Sequence, residues 1–190
     1  DQEQVYSELR GMQKAWGIHI PGASYYIGIS GVIEGVHSLR NGYRQAVHAL
    51  RMRPVQSEEA IFSACMTSDA LEIPYIPNDL EQRLRSDLEK GNREHASAYI
   101  NEVLEHNWGN NITYGAFSSV CMVINQYLFR LLHNKDEQAQ SRLIRIKWEN
   151  DIYSAQRYME VIFSNLDVAA DILGNAQKAS VSFIDQAIEY

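Results

Sequence analysis

Apolar and polar positions follow two different rhythms along this chain, and the change falls at LEIPYIP, residues 71–77. Before it, helical and extended patterns alternate. DQEQVYSELRGMQKAW predicts a helix ending at Gly17, and ASYYIGIS, bounded by Pro21-Gly22 and Gly31, predicts a strand rich in β-branched and aromatic residues. VHSLRNGYRQAVHALRMR predicts a second helix, with Val36, Leu39, Tyr43, Ala46, Val47 and Leu50 on one face. AIFSACM predicts a second strand, and LEIPYIP a short extended segment halted by its prolines. Two strands do not make a stable sheet alone, so this layer reads as an incomplete piece of an α/β arrangement.

From Pro77 onward the strand signals stop. Asn78 with Glu81 three residues later predicts a capping box, followed by Leu80, Leu84 and Leu88 at four-residue steps and a stop at Gly91. Asn92 opens a helix with Ala96, Ile100, Val103 and Leu104 on one face, ended by Gly109-Asn110. A long helix near 113–133 carries Phe117, Val120, Cys121, Ile124, Leu128 and Leu131. Another, near 140–173, carries Leu143, Ile146, Ile152, Tyr158, Met159, Ile162, Leu166 and Leu173. Burying those last eight is worth roughly 12–24 kcal/mol, which predicts that these helices pack together as a bundle. Val181, Ile184, Ala187 and Ile188 begin one more helical face.

With 45% apolar residues in 190, the chain has enough material for a real core, as one large domain or two small ones. Its apolar runs are short and its first residues lack a basic start, so neither a signal peptide nor a membrane span is expected within this sequence. The net charge of −7 is uneven. Residues 1–54 hold six Lys/Arg against four Asp/Glu, residues 55–112 four against eleven, and residues 113–190 seven against nine. An acidic middle without a basic stripe is a poor surface for a phosphate backbone, which excludes tight nucleic-acid binding by these residues themselves.

Candidate chemistry is sparse. Cys65 and Cys121 lie in apolar contexts without CxxC spacing, and read as buried free thiols of a reducing cytoplasm. IGISG places glycines at 28 and 31 after a strand, but the third glycine is displaced to 35, so a dinucleotide loop is not indicated. The six histidines form no metal motif; Glu102 and His106, one helical turn apart, read as a surface ion pair in preference to metal ligands. Trp16, Trp108 and Trp148 read as packing residues. No catalytic residue, metal or cofactor is expected, and the chain does not read as an enzyme.

Two segments are familiar. In YYIGISGVIEGVHSLRNGYRQAVHALRMR, Ile27-Gly28-Ile29-Ser30 followed by Leu39, Tyr43, Ala46, Ala49 and Leu50 resembles the strand-then-helix at the C-terminal end of GGDEF-like domains in bacterial transcription regulators of the AraC/XylS type. Gly42 and Gln45 depart from the Ser and Glu usual there. In IPNDLEQRLRSDLEKGNREHASAYINEVL, Glu81, Leu84, Leu88, Gly91 and Asn92 are similar to the helical region that follows in those regulators. FIDQAIEY, through Ile184, Ala187 and Tyr190, resembles the first helix of the AraC-type DNA-binding domain. No Gly-Gly-Asp/Glu-Glu-Phe occurs, so cyclase activity does not carry over.

The resemblance implies an α+β chain: a partial GGDEF-like α/β layer followed by a mainly α-helical bundle. Its parts would be the C-terminal half of a degenerate GGDEF-like domain at 1–66, a linker at 67–77, the bundle at 78–180, and the start of a truncated DNA-binding domain at 181–190. It implies a cytoplasmic, signal-transmitting segment that couples an upstream sensor or receiver domain to a helix-turn-helix domain outside this sequence, through which alone DNA would be bound. A homodimer is expected, with Tyr158, Ile162 and Leu166 as candidate interface residues, although the same side chains read more readily as filling the intramolecular core. The alternative is a ligand-binding sensor for a small metabolite or cyclic dinucleotide, with Arg40, Arg44, Arg51 and Arg53 as candidate anion-binding residues. No membrane contact is expected.

Overall fold

The structure, a computed structural model, describes residues 2–19, 25–64, 73–133, 141–145 and 154–188. Among these the chain is mostly helical, with six α-helices and one two-stranded parallel sheet, broadly α+β. It divides into two compact units, Asp1–Ile73 with Asn111–Ala116, and Pro74–Asn110 with Phe117–Tyr190.

In the first unit α1 (Gln2–His19) runs two residues past the expected stop at Gly17. β1 is short, Ile27–Ile29, and pairs in parallel with β2, Ile61–Ser63, in the register Ile27 to Ile61, Gly28 to Phe62 and Ile29 to Ser63. The outer ends of both expected strands, 23–24 and Cys65-Met66, lie outside the described residues. A one-turn 3-10 helix at Val36–Ser38 leads into α2, Leu39–Met52.

The expected apolar face of α2 holds for Ala46, Val47 and Leu50, which are half-buried, and is corrected for its other members. Val36, Leu39 and Tyr43 are 82%, 55% and 71% exposed, while the buried residues of the helix are Gly42 and Ala49. The cause is close approach. A Cβ on Gly28 would collide with the Ala46 carbonyl, and one on Gly42 would come within 3.0 Å of Ile33. Helix and strand meet backbone to backbone at Gly28 and Ala46, with Leu50 beside them, while Val36, Leu39 and Tyr43 face outward.

Segment 111–116 returns to this unit by hydrogen bonds that no periodicity announces. Val55 N–H donates to Ile112 (2.9 Å), Tyr114 N–H to Arg53 (2.8 Å), and Gln56 N–H to the Asn111 side chain (3.0 Å).

The second unit follows the predicted leucine steps closely. α3 (Leu80–Glu89) buries Leu80, Leu84 and Leu88, and α4 (Arg93–Gly109) buries Ala96, Ile100, Val103 and Leu104. Gly91, at φ +74°, makes the left-handed turn between them that favours glycine. α5 (Tyr114–His133) buries Phe117, Val120, Cys121, Ile124, Leu128 and Leu131. Two expectations fail here. The Asn78–Glu81 capping box does not form: the cap position is Asp79, whose side chain makes no cap bond because its carboxylate accepts from Tyr99 (2.9 Å), while Glu81 reaches across to Arg130 (3.2 Å). The helix expected near 140–173 is not continuous, since residues 142–145 are non-helical. α6 is Ala155–Ile188, and Leu143, though buried, sits in a non-helical segment; Ile146, Trp148 and Ile152 lie outside the described residues.

Candidate functional site

The four arginines of the α2 region do not form one site. Arg40 and Arg44 are exposed one turn apart, and Arg51 is half-buried. Arg53, one residue past the helix, is 5% exposed. Its guanidinium lies over Tyr114 (3.7 Å to the ring centre) and Tyr26 (4.2 Å), and Nη1 donates to the Leu50 carbonyl at 2.7 Å. Burial lowers its pKa, opposed by the two tyrosines. Arg53 therefore clamps the unit's own chain: it is buried, and its N–H groups already serve the Leu50 carbonyl and the two tyrosines, which leaves little for an incoming anion.

Tyr158, Ile162 and Leu166 are also corrected as interface residues. At 3%, 0% and 1% exposure they fill the core of the second unit, because they lie in phase with Val161, Ala169 and Leu173 on the covered side of α6.

What sequence reading passed over is a set of buried asparagines. Asn107 on α4 is buried beside Val103 and Leu104. Its Oδ1 accepts from the Tyr75 N–H and its Nδ2 donates to the Tyr75 carbonyl, both at 2.8 Å, with a further bond to the Val103 carbonyl. Asn165 on α6 repeats the geometry: Oδ1 accepts from Ile144 N–H (2.8 Å), and Nδ2 donates to the Ile144 carbonyl (2.9 Å) and to Asn125 Oδ1 on α5 (2.6 Å). Each amide thus acts as a strand partner for one residue of a non-helical segment, and the bonds satisfy the buried amide, which would otherwise be costly. The available signal was phase. Asn107 stands three residues after Leu104 and Asn165 three after Ile162, so both continue the apolar stripe of their helices.

Other candidates take structural roles. The His106 ring packs on Tyr75 (4.4 Å between centres) and meets the Asn110 amide (3.1 Å) in place of the expected ion pair with Glu102. The Cys121 thiol is fully buried, and burial pushes its pKa well up, which makes it unreactive; Cys65 lies outside the described residues. Trp16 tilts against Tyr25 and Trp108 meets Phe117 edge-on. A groove of about 820 Å³ beside the start of α4 is lined by Asn92, Arg93, His95, Asn101 and Phe163 among others, with Arg93 held by Asp167 at 2.6 Å. Among the described residues no cluster of His, Cys, Asp or Glu is arranged to hold a metal, and no helix is long and apolar enough to cross a membrane. Set against protein-family models, curated proteins and solved structures, the chain matches none.

Proposed function

We propose that this chain is a cytoplasmic regulatory segment of an AraC-type transcription regulator, transmitting the state of an upstream sensor to a DNA-binding domain outside this sequence. The observation that carries the reading is the continuity of α6. This helix is 34 residues long, roughly 51 Å at 1.5 Å per residue. Its first turns hold the buried Tyr158, Val161, Ile162, Leu166, Ala169 and Leu173, and its last turns contain Ile184 and Ala187, the residues that resemble the first helix of such a DNA-binding domain. A rotation or shift of the packed end is delivered along one unbroken helix to the other. DNA readers that must meet half-sites at a fixed spacing are sensitive to such movements. The α1–β1–α2–β2 order of the first unit is what the second half of a GGDEF-like layer would present.

Helical phase tests this. One residue inserted after Gly174 turns everything beyond it by about 100°, whereas seven inserted residues return it nearly to its starting phase. In the full-length gene driving a reporter, the single insertion is expected to disconnect output from input while DNA binding in a gel shift persists, and the seven-residue insertion to leave the response intact. A full-length product that fails to bind DNA, or a response indifferent to phase, overturns the reading. Light scattering over a concentration series tests the dimer, whose contact must be sought outside Tyr158, Ile162 and Leu166. The sensor alternative needs arginines that here do not converge, and a thermal shift with added cyclic dinucleotide is expected to be nil.

A further inference from the structure

The second unit joins α5 to α6 through one polar junction set in an apolar core. Asn165, at 0% exposure, sits between Ile162 and Leu166, and Asn125 sits beside Ile124 and Leu128; all four of those apolar neighbours are fully buried. Three hydrogen bonds satisfy the Asn165 amide, and two of the three go to the backbone of Ile144. Apolar side chains tolerate sliding by a turn at modest cost, but an amide displaced into a dry core loses its partners, so a buried asparagine pair specifies one register.

The element that completes this lock lies largely at the surface. Of the five residues 141–145, only the Leu143 side chain is buried; Ser141, Arg142, Ile144 and Arg145 are exposed. Arg145 lies 5.7 Å from the Phe129 ring centre, a long contact. Little buried apolar surface is the physical mark of a segment that opens at low cost.

We infer that residues 141–145 form a latch that sets the register of α6 on α5. Seated, the Ile144 backbone completes the bonding of Asn165 and holds α6 in the position described. Released, it leaves that amide with the Asn125 bond alone in an apolar core, and α6 turns or slides to give it new partners. The position of α6 is thereby tied to whether a short surface segment is docked, a two-state element that a partner or an upstream movement can bias. The latch rests on the geometry of the second unit and not on the regulatory reading, so either can fail alone.

Two measurements on the whole 190-residue chain test it. In native-state amide exchange read by NMR, the Ile144 amide is expected to exchange about tenfold faster or more than the Ile124 and Ile162 amides, through a local opening that denaturant barely affects. Exchange of Ile144 only with global unfolding overturns the latch, and this experiment needs no variant. For register, spin labels at Gln126 and Ser164, both exposed, report the α5–α6 distance. Asn165→Leu is expected to add a second distance population, displaced by up to one helical turn, about 5.4 Å. Should that variant not fold, Leu143→Ala, which loosens the latch and leaves the amide, is expected to do the same. A single unchanged distance in a folded variant sinks the coupling.

Discussion

The guanidinium carbon of Arg53 lies 3.7 Å from the centre of the Tyr114 ring, and Tyr26 covers its other neighbourhood at 4.2 Å. Tyr26 arrives from just before β1 and Tyr114 from the returning segment 111–116, so one side chain ties together three parts of the first unit. The pair is a means of closing a small sheet without a carboxylate. Arg53→Lys is expected to cost about 1 kcal/mol, because an ammonium cannot stack as a plane. Arg40→Ala and Arg44→Ala, at exposed positions, are expected to stay within about 0.5 kcal/mol. Urea midpoints of the three variants decide it, and equal effects would restore the arginines to one common role.

The contrast between the two units shows what a sequence makes legible. In the second, Leu80, Leu84 and Leu88, then Ile100 and Leu104, stand at whole-turn spacing and all are buried, because helices packed side chain to side chain need large apolar groups in phase. In the first, α2 meets β1 where Ala46 and Leu50 close on Gly28, so the later part of the expected face holds, while its earlier members Val36, Leu39 and Tyr43 face outward. Segment 111–116 escaped because two of its ties are backbone hydrogen bonds, which leave no trace in residue type, and the other two, Asn111 to Gln56 and Tyr114 to Arg53, join residues too far apart in sequence to form a pattern. Asn107 and Asn165 escaped for the opposite reason. Their residue type suggests a surface, and only their phase within the stripe betrays burial. Helix starts were hardest, since Asp79 and Glu81 found tertiary partners that outcompeted the local cap.

The corrected face of α2 gives a second test. Gly28→Ala drives a methyl into the Ala46 carbonyl, and backbone must move to relieve it. A loss of about 1–3 kcal/mol or more is expected. Tyr43→Ser, at a residue 71% exposed, is expected to change stability by less than about 0.5 kcal/mol. Thermal unfolding of the two variants beside the parent reverses the assignment if Tyr43→Ser proves the more damaging.

Ile162 separates a core from an interface. It is 0% exposed, whereas Ser164, two residues on, is exposed. A carboxylate at 162 enters a buried apolar core, a cost of several kcal/mol set against a net stability of about 5–15. Ile162→Glu is expected to abolish cooperative unfolding of the second unit, and Ser164→Glu to leave it intact, by circular dichroism. A folded, monomeric Ile162→Glu protein would instead place this residue at a contact between chains.

Cys121 makes a prediction about alkaline stability. Burial favours the neutral thiol, so the folded chain keeps its proton to higher pH than the unfolded chain does. Below about pH 8.5 both states hold the proton and the thiol adds no pH dependence. Above it the unfolded state sheds a proton that the folded state retains, so stability falls as pH rises, approaching about 1.4 kcal/mol per unit until the folded thiol itself ionises. Tyr99 also has a raised pKa, from desolvation first and its Asp79 contacts after, and contributes in the same direction. Comparing Cys121→Ala with its parent cancels that contribution, and a Cys65→Ser background removes the second thiol. The alanine variant is expected to be less stable near neutrality, for want of a buried sulfur, yet to lose stability more slowly between about pH 9 and 10.5. Parallel slopes in urea unfolding across that range would mean that the Cys121 thiolate is reached by solvent in the folded chain.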